Sequence, residues 1–204
     1  MLLHAPAATF GLRPDLAAIA HNVMPGSRVL DIGCGDGSLM EVLETHKDCD
    51  ARGMELDGTL VERCVSRGLS VVQGDANADL ANYPDKAFDY AILSQTLQTA
   101  TRPDLMLDEL LRVGRRAFVS FPNFAHWRTR AALMFGGRMP VTRALPVSWY
   151  ETDNIHHVTV EDFRDLARLK RARIERAWFF SGGKHIGAPA AHWRAEFAVF
   201  ELSR

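Results

Sequence analysis

The residues best placed to do chemistry open in one short stretch, Asp31-Ile-Gly-Cys-Gly-Asp-Gly37. A carboxylate is followed by glycines at 33, 35 and 37, and Ser38–Glu44 then reads as a helix. A strand that turns through glycines into a helix brings bare backbone and a helix N-terminus up to a ligand. Two further acids extend the set: Glu55, 18 residues after Gly37, and Asp75. The dinucleotide pattern G-x-G-x-x-G fails here, because its sixth position falls on Ser38 counted from Gly33 and on Met40 counted from Gly35. Asp31 and Asp36 would also repel a pyrophosphate by a few kcal/mol, and the loop holds no lysine.

A ligand with an adenosine, a cationic amino-acid end and no phosphate meets neither objection. S-adenosylmethionine (SAM) and its product S-adenosylhomocysteine have that form, and the ammonium and sulfonium charges of SAM favour acidic neighbours. In this reading the cofactor-binding set is Asp31, Gly33, Cys34, Gly35, Gly37, Glu55, Leu56, Asp75, Ala76 and Ser94. Glu55 is placed to accept both ribose hydroxyls, Leu56 to cover an adenine face, and Asp75 with the Ala76 N–H to meet the adenine edge. After the fourth strand, Ser94-Gln-Thr-Leu-Gln-Thr-Ala100 should face the reacting end, with Gln95 and Gln98 where a general base could stand. Methyl transfer can proceed by orientation alone when the nucleophile is good. Further candidates for substrate or partner are Arg128, Trp149, Tyr150 and His156. His156 and His157 are adjacent and lack the spacing of a helical metal-binding pair, so no metal is expected.

The elements that must hold these residues alternate. Strands are expected at 29–32, 51–57, 69–73, 88–93 and 117–121, with helices at 14–23, 38–46, 58–67 and 105–113 between and before them. Two more strands, about 173–180 and 196–202, follow helices at 123–135 and 160–169. The expected class is a doubly wound, Rossmann-like α/β sheet of about seven strands, mostly parallel with an antiparallel C-terminal strand. Residues 1–13 carry little pattern and read as an arm. Residues 14–204 read as a single domain with an insertion or lid around 123–158.

Composition bounds the partners. The 204 residues are 47% hydrophobic and 24% charged, ordinary for a water-soluble domain. The net charge of −1 offers no electrostatic case for nucleic acid or an anionic membrane. No apolar run approaches the roughly 20 residues of a membrane span. The N-terminus lacks the basic start and apolar core of a signal peptide. Three cysteines, Cys34, Cys49 and Cys64, form no CxxC pair and point to a reducing compartment, the cytoplasm.

The D-x-G-x-G-x-G loop with Glu55 resembles class I SAM-dependent methyltransferases over residues 28–121. Later segments narrow the resemblance: Leu93-Ser-Gln-Thr-Leu-Gln98, Phe121-Pro-Asn-Phe-Ala-His-Trp-Arg128, Gly137-Arg-Met-Pro140 and Trp149-Tyr-Glu-Thr-Asp-Asn-Ile-His156 are similar to the methionine biosynthesis protein MetW family. That resemblance implies a methyltransferase fold and a protein acting beside MetX, the homoserine O-acyltransferase. The alternative is an active methyltransferase on a small-molecule acceptor; the family's role does not require methyl transfer.

Overall fold

The computed structural model describes residues 10–142 and 144–204. Eight strands form one sheet in the order β3-β2-β1-β4-β5-β8-β6-β7. The strands are β1 (Arg28–Ile32), β2 (Asp50–Glu55), β3 (Ser70–Gln73), β4 (Phe88–Ser94), β5 (Gly114–Pro122), β6 (Arg173–Ser181), β7 (Lys184–Ile186) and β8 (Phe197–Ser203). The first five pair in parallel, and β8 runs antiparallel to both β5 and β6. The helices are α1 (Pro14–Asn22), α2 (Ser38–Lys47), α3 (Gly58–Ser66), α4 (Ala76–Asp79), α5 (Pro103–Val113), α6 (Trp127–Gly136), α7 (Val160–Leu169) and α8 (Ala191–Arg194). No helix among the described residues is long and apolar enough to cross a membrane.

The core follows from the two-residue period of the central strands. Val29, Tyr90, Ile92, Phe118 and Val199 point to one face, where Ile19 of α1 and Leu39 and Leu43 of α2 cover them. Leu30, Leu93, Val119, Phe121 and Phe200 point to the other, against α5 and α7. Strands buried on both faces have no polar side to spare, which is why β1 and β4 read as near-continuous apolar runs. On the second face Phe200 lies at the centre of an aromatic cluster, with ring centroids 4.7 Å from Phe163 and 5.9 Å from both Phe121 and Phe179.

Two expectations need correction. The sheet has eight strands rather than about seven. β7 is the return arm of a hairpin in which Ser181 pairs with Lys184 across Gly182-Gly183, both at positive φ. A three-residue arm is too short to carry an alternating pattern. The helix expected over 123–135 starts at Trp127. Pro122 still pairs with Phe197 in the sheet. The buried Asn123 is a clip: its Nδ2 donates to the Ala195 carbonyl at 2.9 Å and its backbone N–H to the Glu196 carbonyl at 2.8 Å, while its Oδ1 accepts from Ala125 N at 3.2 Å. The helix begins only where His126 accepts the Arg128 N–H at Nδ1.

Because Phe200 sits fully buried among three aromatic rings, Phe200→Ala is expected to cost about 3–5 kcal/mol, and Phe200→Leu clearly less. Urea titrations followed by circular dichroism check both values.

Candidate functional site

The carboxyl ends of β1, β2, β3 and β4 meet at one rim, and the glycine loop crosses it. At Gly33, φ is +69°, and a Cβ would stand 2.5 Å from Thr96 Oγ1. Only glycine lets the β1 loop and the β4 loop approach this closely. Glu55, the last residue of β2, holds the loop from the other side. Its Oε2 accepts the Gly35 N–H at 2.8 Å, and its Oε1 accepts those of Leu56 and Asp57 at 2.8 and 3.0 Å.

Two cavities open along this rim and share Gly33 and Thr96. The first, about 560 Å³, lies between the loop and α1, with Asp31, Cys34, Gly35, Arg13, Ser94 and Gln95 in its wall. The second, about 450 Å³, is lined by Glu55, Leu56, Asp75, Ala76, Met106 and Asp153, among others. Together they make an elongated trough whose floor is glycine backbone and whose walls carry five carboxylates, Asp31, Asp36, Glu55, Asp75 and Asp153.

The acids differ in their surroundings. Asp31 is 3% exposed, and burial pushes its carboxyl up to about 7, against the pull of the Arg13 guanidinium and with a further push from Glu55. Burial also raises the Cys34 thiol, and Asp31 adds to the rise, so Cys34 is held as a neutral thiol and is no nucleophile. Its sulfur packs so close to Gly53 that a Cβ there would be 2.7 Å away. Asp75 caps α4 by accepting the Asn77 N–H at 2.9 Å on Oδ1, and Asp36 accepts the Ser38 N–H at 3.1 Å. Gly37, at φ +75°, is the N-cap of α2.

Behind the first cavity lies a polar network that the sequence pattern did not reveal. Asp15, buried in the first turn of α1, accepts at Oδ2 from Ser120 Oγ (3.0 Å), Gln95 Nε2 (3.1 Å), Ser94 Oγ (3.3 Å) and Arg13 Nη2 (3.3 Å). Ser94, expected to touch a ligand, therefore spends its hydroxyl on Asp15 and Ser120 while still lining the cavity. Gln95 is held at φ +53°, a conformation that side chains with a Cβ rarely adopt. Its side chain faces Asp15 and also forms part of the cavity wall. Arg13 and Asp15 stand in a stretch without periodicity, and Pro14 at the helix start is the one local signal there.

The remaining candidates separate. Gln98 is 4% exposed and lines neither cavity; its Nε2 donates to the Gln95 carbonyl at 2.6 Å, and its own carbonyl accepts the N–H groups of Ile155 and His156 at 2.9 and 3.0 Å. His156 is half-buried, and its Nε2 has no partner; neither has Gln98 Oε1. Arg128 is exposed on α6, with its guanidinium over the Trp127 ring at 5.4 Å. Trp149 and Tyr150 form an exposed edge-on pair outside the trough, 5.7 Å between centroids. Of the expected arm, residues 1–9 lie outside the described residues. Phe10 packs its ring 5.1 Å from those of His21 and His46.

With this geometry in hand, the comparisons are decisive for family. The model of the family described as "Methionine biosynthesis protein MetW" matches residues 13–202. The chain belongs to the MetW family. A "Bifunctional methionine biosynthesis protein MetXA/MetW" from Rhodopirellula baltica is 35% identical over 178 residues, which is 83% of this chain and 29% of that relative. A "Ubiquinone biosynthesis O-methyltransferase" from Xylella fastidiosa is 34% identical over 173 residues, 80% of this chain and 63% of its own. The chain thus spans less than two thirds of either relative. Among solved structures, a SAM-dependent methyltransferase from Archaeoglobus fulgidus superposes with a TM-score of 0.72 at 15% identity, covering 97% of this chain and 95% of that one. The MetW chain therefore has the class I SAM-methyltransferase fold, with its mixed sheet.

The position of Asp31 gives a signed expectation. Its folded value of about 7 lies above its ordinary 3.8, so its contribution to stability is fully present below about pH 4 and is lost as pH rises through 7. Asp31→Asn removes that loss. The variant without ligand is expected to be more stable than the wild type at pH 8 by roughly 1–3 kcal/mol, and equal to it near pH 4. Denaturant titrations at the two pH values decide the matter.

Proposed function

We propose that this MetW protein holds SAM or S-adenosylhomocysteine along the trough and works beside a homoserine O-acyltransferase of the MetX type in methionine biosynthesis. The observation that carries the second half is the Rhodopirellula baltica relative, whose name joins both components in one polypeptide. The first half rests on the donor set, which suits the ligand. The apolar and acidic end by Leu56, Asp75, Ala76 and Met106 fits an adenine and its ribose. Three of the roughly four acceptor sites of the Glu55 carboxylate take amides, and Oε2 keeps one for a ribose hydroxyl. At the other end Asp31, once ionised, faces an ammonium, and Arg13 supplies the cation for an α-carboxylate. A phosphate ligand would meet Asp31, Asp36 and Glu55 with no lysine in reach.

SAM, when bound, supplies an electrophilic methyl group. The chain's own residues near the junction of the cavities are Ser94, Gln95 and Thr96. Ser94 and Gln95 are committed to Asp15, and Thr96 donates to the Ser94 carbonyl at 3.1 Å. They orient the rim, and none is a strong base at neutral pH. This favours a cofactor-binding accessory protein over a catalyst that must deprotonate its acceptor. The second reading, methyl transfer to a small molecule that is already a good nucleophile, is favoured by the O-methyltransferase relative.

Calorimetry with SAM and S-adenosylhomocysteine tests the first half. Wild type is expected to bind both, and Glu55→Ala or Gly33→Ala to weaken binding at least tenfold. Absence of heat for either ligand sinks it. Acyltransferase turnover, measured with and without an equimolar amount of this protein, tests the second half: a change is expected, and unchanged turnover defeats the partnership. Appearance of S-adenosylhomocysteine from SAM and a metabolite extract would instead favour the enzyme reading.

A further inference from the structure

Sixteen large apolar side chains are exposed in the described structure, and nine of them fall between residues 127 and 155. Phe135 (83% exposed), Met134 (80%), Trp149 (74%) and Tyr150 (70%) are the most open of these. Trp149 also lines an apolar groove of about 350 Å³, with Phe124, Met139, Leu145, Val147 and Ile155. Soluble proteins rarely leave apolar surface concentrated in this way unless something covers it. Trp, Tyr, Phe and Met are also the types enriched in the cores of protein interfaces.

The charge of this segment narrows the occupant. From Trp127 to Tyr150 there is no Asp or Glu, and Arg128, Arg130 and Arg138 are exposed; the acids Glu151 and Asp153 lie at the other end of the segment, so the cationic rim is on the α6 side. An apolar face with a cationic rim fits a protein surface that is apolar at its centre and acidic at its edge. The groove is also continuous with the trough. Thr152, Asn154, Ile155 and His157 line the groove, and Asp153, between them in sequence, lines the adenosine-side cavity. The segment is pinned by Gln98, whose carbonyl accepts from Ile155 and His156. It thus forms a wall that touches the cofactor trough on one side and the apolar groove on the other.

We propose that the face formed by residues 127–142 and 144–155 docks the homoserine O-acyltransferase component, through an acid-rimmed apolar patch on that partner. This inference rests on the partnership put forward above. In the Rhodopirellula baltica relative the two components share one polypeptide and are held as neighbours. Neighbours that act together need a surface in common, and this is the apolar face that the described residues of this chain leave uncovered. Phe135 and Trp149 are the anchors, and the arginines give the approach its dependence on salt.

The test uses the purified full chain and the purified acyltransferase, with binding followed by calorimetry or analytical ultracentrifugation. Phe135→Glu and Trp149→Glu are each expected to weaken the complex at least tenfold. Leu169→Glu, at an exposed apolar site on α7 outside this face, is expected to change it less than twofold. All three should keep their circular dichroism and their affinity for S-adenosylhomocysteine, since none lines the trough. Raising the salt from 50 to 500 mM should weaken the wild-type complex. A wild-type complex that both glutamate variants leave intact overturns the docking face and leaves the partnership standing. A wild type that does not bind the acyltransferase at all overturns the partnership itself. Self-association abolished by Phe135→Glu, with no acyltransferase bound, gives the face to a second copy of this chain and overturns the occupant named here.

Discussion

Three backbone N–H groups converge on one carboxylate, that of Glu55. One comes from the glycine loop after β1, and the other two from the turn that leads into α3. Three of the five loop residues from 33 to 37 are glycines at positive φ, where few other residues could follow. The loop's conformation is therefore set from outside, by Glu55 on one flank and by Thr96 against Gly33 on the other. Everything at the rim inherits this: the depth of the trough, the burial of Asp31, and the position of the Gly37 cap at the start of α2. A carboxylate fits this role because each oxygen accepts more than one hydrogen bond, so the amides can be satisfied without using up the group. Structural tie and ligand acceptor are thus compatible roles for Glu55.

Much of this was legible in the chain. The β1 loop, Glu55 and Asp75 announce themselves by type and spacing, because strand ends in a parallel sheet lie together whatever the sequence between them. The alternation that buries Val29 and Leu30 on opposite faces is local and can be read directly. Arg13 and Asp15 could not be found in that way. Their partners, Ser94, Gln95 and Ser120, lie at the ends of strands some 80 to 105 residues away, and nothing around Pro14 encodes the meeting. The start of α6 was missed for a related reason. Asn123 has the look of a helix-opening residue, and its carboxamide instead ties the end of β5 to the start of α7 and the end of α8. The β7 arm is set by two glycines and three residues, which is turn geometry rather than hydrophobic pattern.

The same long-range ties explain how the rim relates to the insertion. Gln98 receives the Ile155 and His156 amides and gives its own side-chain N–H to Gln95, whose side chain in turn reaches Asp15. A continuous chain of hydrogen bonds thus runs from α1, beside the first cavity, to the segment that walls the apolar groove. Two buried polar atoms on this route, Gln98 Oε1 and His156 Nε2, lack partners. Unsatisfied buried groups each cost on the order of 1–3 kcal/mol, so this is the least favourably bonded part of the route.

In the proposed reading, that arrangement separates holding a cofactor from using it. Catalysis of methyl transfer to an acceptor that must lose a proton needs a base close to the reacting atoms. Around the junction of the two cavities the polar side chains are turned inward and spent on one another. Asp15 takes donors from Ser94, Gln95, Ser120 and Arg13, and a network so fully satisfied rigidifies the rim and leaves none of its own members free to act as a base. Exposed aromatic surface is concentrated instead on the far side of the segment that Asp153 shares with the trough. Evolution of a binding site toward turnover would bring polar, titratable groups to the junction. Here the structure has a stiff trough and an exposed apolar face, a distribution that suits the accessory role proposed above.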